Sequence, residues 1–410
     1  MSTMKRKQLM NQQVSQRGWG AARILLCGIL GMIIAMGIGR FAYTPILPLM
    51  QRDLGLSNIV AGWLASLNYL GYLAGAILCS FAPQFIRSRY VAFGTLLISI
   101  TTTTVMGLTE SAFWWGNLRF ASGLVSALLF IIISAEIAEA LLWRGYGHWS
   151  GAIYSGVGAG IAFSGLAIPW LDNLGQWAGS WLGMGVIATI LAIVVLVAIK
   201  GQMSEEKSSP KPSDIASSMR SIWPLVVAYF FEGLGYIVTA TFIVAIVAKT
   251  PGLERYAPYS WVAVGLAAIP STIFWPHLAR YIGRQKALLA AYVLQATGIL
   301  ASIHADSIME ITFAAVTFGG TFMGITALTL AEGSSRVQTG SGRAAAILTA
   351  SFGVGQILGP TVAGFLSDQQ GDFTLALSLA ALSVVIGAIL SATDRYFVQH
   401  KQRGESPCHT

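Results

Sequence analysis

Three ionisable side chains lie deep inside long apolar stretches of this 410-residue sequence. Arg40 lies in GIGRFAYTPILPLM, Arg119 in WWGNLRFASG and Glu232 in AYFFEGLGY. A charge at the centre of a lipid bilayer costs at least about 2.5–3.5 kcal/mol, so such residues face an internal cavity or a partner. The guanidinium fork matches carboxylate and phosphate groups. Because two arginines outnumber one glutamate, the sequence predicts a site for an anion, and we expect a small organic carboxylate.

Helical spacing predicts which uncharged polar side chains share the faces of these charges. The expected substrate-binding residues besides the arginines are Tyr43, Thr44, Asn68, Tyr72, Tyr236 and Gln356, with Tyr69 and Thr239 beside them. Clustered tyrosines would suit an aromatic or amphipathic anion. The alternative is a purely structural role, in which the tyrosines pack against neighbouring helices. An arginine can likewise link helices by bonding to carbonyl groups or to Glu232.

Glu232 is the one acid near the middle of an apolar stretch. If a substrate carboxylate competes with Glu232 for Arg40, substrate binding and protonation become linked. The sequence therefore predicts Glu232 as a proton-coupling residue. The alternative is a permanent clamp between Glu232 and an arginine.

Acidic and basic residues also border two of the predicted loops. Glu136 is followed by Arg144, and Glu332 by Arg336 and Arg343. We expect a cytoplasmic gate made of Glu136, Arg144, Glu332 and Arg343. The alternative is that these are solvated loop charges.

The bulk composition is that of a membrane protein. The chain is 55% hydrophobic and only 10% charged, with a mean hydropathy of +0.66, whereas soluble domains carry about 25% charged residues. Three cysteines and five histidines show no spacing typical of a disulfide framework or a metal site. No nucleophile–base set is present either, so we expect neither an enzyme nor a cofactor or metal.

Twelve apolar segments are long enough to cross a bilayer. They are 21–47, 59–81, 90–108, 112–140, 148–170, 178–199, 222–248, 258–277, 287–304, 308–331, 343–366 and 372–396. If the N-terminus is cytoplasmic, 20 of the 25 basic residues fall on the inside and three on the outside. This bias predicts that both termini are cytoplasmic, and it accounts for the net charge of +8 without nucleic-acid binding.

The sequence divides into two related halves. Gly37 and Glu136 correspond to Gly233 and Glu332, and Asp172 to Asp368, each at an offset of 196 residues. The expected domains are a cytoplasmic tail (1–20), an N-terminal six-helix bundle (21–199), a cytoplasmic linker (200–221), a C-terminal six-helix bundle (222–397) and a second cytoplasmic tail (398–410). A repeat of six plus six spans around a linker is the plan of a secondary transporter.

The chain resembles the transporters of the major facilitator superfamily (MFS) over roughly residues 20–397. The superfamily signal R-x-x-x-G is present as Arg119 and Gly123, while the usual acidic and glycine positions of the loop after the second span are lost in CSFAPQFIRSRY. The words GIGRFAYTPILPLM, NYLGYLAGA and GGTFMGITALTLA further resemble the bacterial YbfB/YjiJ-type branch. The resemblance implies an all-α fold of two six-helix bundles related by a pseudo-two-fold axis, with spans 1, 4, 7 and 10 around a central cavity.

Together these observations predict a secondary active transporter of the bacterial inner membrane that moves a small organic anion by alternating access, coupled to protons. We expect a multi-pass monomer whose partners are substrate, protons and lipid. One alternative is proton-coupled efflux of drugs or cationic metabolites, although the glycine-proline motif of drug exporters is missing from span 5. A second alternative is a transport-inactive sensor or scaffold.

Overall fold

The computed structural model describes residues 20–81, 88–199, 222–303, 305–336 and 341–404. Every regular element within these residues is helical, and none is a strand. The long helices are α1 (Gly20–Leu54), α2 (Asn58–Phe81), α3 (Arg89–Val105), α4 (Ala112–Trp143), α5 (155–174), α6 (177–199), α7 (Trp223–Lys249), α8 (Ala257–Ile282), α9 (Arg284–Ala301), α10 (Ile308–Arg336), α11 (Ser341–Gln370) and α12 (Thr374–Gly404). The all-α class expected from the sequence is confirmed.

Helices α5 and α6 are the two arms of one helical run, Ser155–Ile199, which breaks at Gly175 and Gln176. Gln176 has a φ of 56°, a left-handed conformation that ends a helix. Asp53, at the end of α1, accepts a hydrogen bond from the backbone N–H of Trp177 at 3.4 Å. The break therefore separates two of the spans that the sequence predicts.

Ten helices among the described residues are long and apolar enough to cross a membrane. The count is lower than the predicted twelve for two reasons. Both arms of the broken run fall in one stretch, Gly147–Ala198, and α9 begins with the polar residues Arg284, Gln285 and Lys286. Large apolar side chains such as Leu97, Ile190 and Phe274 point outward, as expected for a surface in contact with lipid.

The helices differ in how deeply they lie within the molecule. The most apolar windows of α1, α7 and α10 are 61–78% buried, against 28% for α3. Three of the four helices that the resemblance places around a central cavity are thus the most enclosed ones. Most side chains in these windows therefore face other helices rather than lipid.

Glycines allow the helices to approach closely. A methyl group added to Gly37 of α1 would collide with the Cα atom of Gly160 on α5, and one added to Gly355 of α11 would collide with the carbonyl oxygen of Phe230 on α7. Small residues at such crossings let backbones touch, which is how membrane helices gain van der Waals contact without a hydrophobic driving force. These glycines therefore hold each half together.

The two halves meet on the side of the molecule opposite the linker. Thr44 on α1 donates a hydrogen bond to the carbonyl oxygen of Ala240 on α7 at 2.7 Å. Asn58, at the start of α2, donates to Ser367 on α11 at 3.0 Å. Along the second contact, between α5 and α8, methyl groups at Gly158 and Gly265 would collide with the opposite backbone. In this structure the linker-distal side is closed.

Candidate functional site

Arg40 lies in a local π-helical stretch of α1, Ile33–Phe41. A π-helix leaves backbone carbonyl groups without their usual partners and often marks a functional site. Here α4 supplies the partners: Ser122 donates to the carbonyl oxygen of Gly39 at 2.7 Å, and Ser126 donates to that of Ala35 at 2.8 Å. The polar face of α4 thus stabilises the distortion that carries Arg40.

The guanidinium of Arg40 is enclosed by aromatic rings. Its Cζ atom lies 4.2 Å from the ring centre of Tyr72, 4.7 Å from that of Tyr69 and 5.4 Å from that of Phe41. The residue is 4% exposed, and its Nε and Nη2 atoms have no hydrogen-bond partner. The rings attract the cation, but these N–H groups remain available to an acceptor.

Arg119 on α4 lies beside Arg40 and is also buried, at 2% exposure. Its Cζ atom lies 4.5 Å from the ring centre of Tyr43, and its Nη2 donates to the carbonyl oxygen of Arg40 at 3.4 Å. Its Nε has no partner, and the two guanidinium groups lie within electrostatic range of each other. Two adjacent buried cations repel each other, and a bound anion would relieve that repulsion.

The C-terminal half contributes an aromatic wall. Tyr236 on α7 stacks on Phe352 and Phe322, with ring centres 5.1 and 5.9 Å apart. Its hydroxyl group accepts a short hydrogen bond from Gln356 on α11. Tyr236 lies within electrostatic range of Arg40, so this wall and the arginines belong to one site between the two halves.

Other predicted site residues have structural partners. Tyr43 donates to the carbonyl oxygen of Ala61 at 2.9 Å, and the hydroxyl of Thr44 makes the α1–α7 contact described above. Asn68 donates to the carbonyl oxygen of Arg119 at 2.9 Å, while its own side-chain oxygen is unpartnered. Tyr43 and Asn68 contact Arg119, whereas Thr44 joins α1 to α7. Of the three side chains, Asn68 alone keeps a free polar atom.

Glu232 does not pair with an arginine. Gln295 on α9 donates to its Oε1 atom at 2.8 Å, and no ion pair joins Glu232 to Arg40 or Arg119 in the part of the chain that the structure describes. The alternative of a permanent Glu232–arginine clamp is therefore not seen among the described residues, and the proton-coupling role stays a prediction. Glu232 and Tyr236 lie one helical turn apart on the same side of α7. At the level of Glu232 the partner is Gln295 of α9, whereas Tyr236, one turn further along, lies within electrostatic range of Arg40.

The predicted cytoplasmic gate is partly described. Glu332 pairs with Arg284 at 3.1 Å and with Arg336 at 2.9 Å, both within the C-terminal half. Arg144 donates to the carbonyl oxygen of Ala140 at 3.1 Å. The side chain of Arg343 lies outside the described residues, and the role of Glu136 stays a prediction.

Sequence reasoning missed several residues that build the site. Ser122 and Ser126 follow Arg119 at the spacing of one helix face, which is a readable signal. Gln295 is the one amide in its apolar stretch. No sequence signal indicated the π-helix or the pairing of Arg284 with Glu332.

The long apolar helices are those of a membrane protein, and the comparison with known families identifies its class. The family described as "Uncharacterised MFS-type transporter YbfB" matches residues 32–392, and the chain belongs to this family of major facilitator superfamily transporters. It is a transporter and not an enzyme.

Relatives and solved structures agree with this assignment. The chain is 20% identical over 375 residues to the "Uncharacterized MFS-type transporter YceJ" of Bacillus subtilis, covering 88% of this chain and 94% of that protein. It is 25% identical over 173 residues to the "Cis,cis-muconate transport protein" of Acinetobacter baylyi, covering 42% and 41%. The structure of the nucleoside transporter NupG has the same fold, with a TM-score of 0.68, 12% identity and coverage of 92% and 98%.

Proposed function

We propose that this protein moves a small organic anion, a carboxylate, across the bacterial inner membrane by alternating access. We also propose that the chain has twelve membrane spans in two six-helix bundles, with both termini in the cytoplasm. The observation that carries it is the pair of buried guanidinium groups of Arg40 and Arg119, which have unpartnered N–H groups and no carboxylate among their partners. A buried charge without a partner is costly, so the site is built for a ligand that brings negative charge.

The charge count favours a ligand with two carboxylates. With Glu232 held by Gln295, nothing in the described site cancels the charge of either arginine. A dianion would neutralise both cations, whereas a monoanion would leave one buried. The name of the muconate transport protein, which refers to a dicarboxylate, agrees with this choice.

The aromatic rings favour a flat, unsaturated carbon skeleton. Tyr69 and Tyr72 lie on one side of the site, and Tyr236 with its stacked phenylalanines lies on the other. A planar ligand can stack against such rings, which adds about 0.5–1.5 kcal/mol beyond the burial of apolar area. We therefore expect unsaturated or aromatic dicarboxylates to bind more tightly than saturated ones of the same length.

Coupling is assigned to Glu232, with the proton as the ion that the sequence predicts. Because Glu232 accepts a hydrogen bond from Gln295 and makes no ion pair with Arg40 among the described residues, we expect its protonation to act through the contact between α7 and α9. Replacing Glu232 by Gln should abolish pH-driven uptake while sparing exchange of substrate. Persistence of pH-driven uptake in this variant would refute the assignment.

The test is equilibrium binding of carboxylates to the purified protein and to the Arg40→Met variant. Methionine fills similar volume without charge, and losing one partner of a buried charge pair costs about 2–5 kcal/mol. We expect the affinity for an unsaturated dicarboxylate to fall by about 30-fold or more. The melting temperature of the free variant should not fall, because the substitution removes an unpartnered buried cation.

The matched control is Arg255→Met. Arg255 is exposed, and its Cζ atom lies 5.1 Å from the ring centre of Tyr256, so the control removes an arginine–tyrosine contact outside the site. It should leave binding unchanged. Tighter binding of cationic compounds than of carboxylates would support the efflux alternative instead. Carboxylate binding without flux in liposomes would support a sensor.

A further inference from the structure

A second cluster of buried polar atoms lies inside the C-terminal half, separate from the arginines. Its members are Glu232 on α7, Tyr292 and Gln295 on α9, Thr329 on α10 and Ser391 on α12, each at most 4% exposed. Four different helices thus turn polar side chains toward each other in the interior of one bundle. We refer to these five residues as the oxygen cluster.

Hydrogen bonding within the oxygen cluster is incomplete. The one bond to Glu232 uses the NH₂ group of Gln295 and leaves Oε2 of Glu232 and Oε1 of Gln295 without partners. Tyr292 lies within electrostatic range of Glu232, and its hydroxyl group faces those of Ser391 and Thr329. These three hydroxyl groups interact with one another without the geometry of a full hydrogen bond, and none has another partner among the described residues.

Two buried acceptor oxygen atoms without any partner, Oε2 of Glu232 and Oε1 of Gln295, lie beside three hydroxyl groups that are only weakly hydrogen-bonded. They need an explanation, because each unsatisfied polar group costs about 1–3 kcal/mol. The carboxylate and the amide oxygen are acceptors only, so they call for a donor or a cation. The titratable groups within electrostatic range of Glu232 are tyrosines: Tyr229 and Tyr236 on its own helix and Tyr292 on α9. Within the described residues no basic side chain compensates the carboxylate.

We propose that the oxygen cluster binds a monovalent alkali cation. Oxygen atoms of carboxylate, amide and hydroxyl groups are the ligands that hard cations prefer, and channels and transporters coordinate alkali ions with buried protein oxygen atoms, chiefly backbone carbonyls. One carboxylate balances one positive charge, whereas a divalent ion would leave the interior of the bundle charged. The inference rests on the proposed coupling role of Glu232, and it adds an alkali ion as a competitor of the proton for the same carboxylate.

The first measurement is thermal unfolding of the purified full-length protein in NaCl, KCl and choline chloride at equal ionic strength and fixed pH. A ligand that binds only the folded state raises the melting temperature as its concentration rises. We expect NaCl or KCl to produce a saturable rise that choline chloride does not. The Glu232→Gln variant should lose this rise, because the amide carries no charge to balance the ion.

A second pair of variants keeps the test decisive if Glu232→Gln does not fold. Thr329 and Thr321 are fully buried on α10, but the hydroxyl of Thr321 already donates to the carbonyl oxygens of Thr317 and Phe318. Thr329→Ala should raise the half-saturating alkali concentration at least about fivefold, since it removes an oxygen ligand. Thr321→Ala should leave it unchanged.

Two outcomes would overturn the inference. One is a melting temperature that is the same in all three salts. The other is an alkali effect that survives in both Glu232→Gln and Thr329→Ala. Carboxylate binding is measured separately, in choline chloride, so that the two proposals can be told apart. If carboxylates bind but no salt changes the melting temperature, only the cation site is refuted. If an alkali ion binds but no carboxylate does, only the proposed substrate is refuted.

Discussion

Arg40 and Arg119 are neighbours with different roles. Arg119 donates a hydrogen bond to the backbone of α1 and lies against Tyr43, so one of its N–H groups is already used in a structural contact. Arg40 contacts the rings of Tyr69 and Tyr72 and the hydroxyl group of Tyr72, and its Nε and Nη2 atoms have no partner. We therefore assign first contact with the substrate to Arg40, and the support of α1 to Arg119.

The serines that support the π-helix allow a prediction at the same scale. Ser126→Ala removes the donor to the carbonyl oxygen of Ala35 and leaves a buried acceptor unsatisfied, at a cost of about 1–3 kcal/mol. The melting temperature should fall, and the affinity for the carboxylate should fall with it because Arg40 loses its fixed position. Thermal unfolding and binding measured on the same preparation check both effects.

Ser164→Ala is the control for Ser126→Ala. Ser164 is equally buried, but its hydroxyl group donates to Ile161 of its own helix, whose carbonyl group keeps its helical partner. The control should change neither quantity appreciably. Equal losses in both variants would mean that the π-helix does not depend on α4.

At the scale of helices, the sequence predicts where α-helical segments lie but not how they are rotated. The apolar stretches, the linker and the glycine crossings all follow from composition and spacing. The π-helix does not follow from them. A helical wheel drawn for a regular α-helix misplaces the residues of α1, because the π stretch has a different number of residues per turn. Thr44 therefore contacts Ala240 on α7 instead of sharing the face of Arg40.

The partner of Glu232 shows the same limit. Its depth in the bundle could be read from the 196-residue repeat, and its burial is confirmed. Whether its partner is an arginine or Gln295 depends on which side chains of neighbouring helices lie at the same level of the bundle. A single sequence gives no access to that packing.

The start of α2 allows a prediction for an element. Asp368 at the end of α11 accepts hydrogen bonds from the backbone N–H groups of Asn58 and Ile59 at 3.0 and 2.8 Å. A carboxylate at a helix N-terminus contributes about 0.3–1 kcal/mol, and up to about 2 kcal/mol when partly buried. Since this contact joins the two halves, Asp368→Asn should increase the population of conformers with the linker-distal side open, by about two- to fivefold.

Distances between spin labels on the linker-distal ends of α2 and α11 check this shift. Asp172→Asn is a matched control, because Asp172 occupies the equivalent position of the repeat but pairs with Arg52 of its own half at 2.8 Å. The control should leave the distance distribution unchanged. An identical distribution for Asp368→Asn and the unmodified protein would show that the contact does not hold the halves together.

At the scale of the whole molecule, glycines within a half and glycines between the halves have different consequences. A methyl group on Gly62 of α2 would collide with the carbonyl oxygen of Pro360 on α11, across the two halves, whereas one on Gly71 would collide with Phe120 within the N-terminal half. Gly62→Ala should therefore disfavour this closed conformation while the bundles stay folded. Gly71→Ala should lower the melting temperature.

The same spin-label distances and thermal unfolding separate these effects. For Gly62→Ala we expect a longer α2–α11 distance with a change in melting temperature much smaller than that of Gly71→Ala. A large loss of stability without a longer distance would show that the halves do not move as separate bodies.

Two of the contacts between the halves, α2 with α11 and α5 with α8, are related by the repeat but differ in chemistry. Both contain close backbone approaches, at Gly62 in the first and at Gly158 and Gly265 in the second. The first contact also contains hydrogen bonds from Asn58 and Ile59, which entering water can replace one by one. We therefore expect the contact between α2 and α11 to separate first, while α5 and α8 stay together. A solute would then enter on the side of the molecule where α2 and α11 meet.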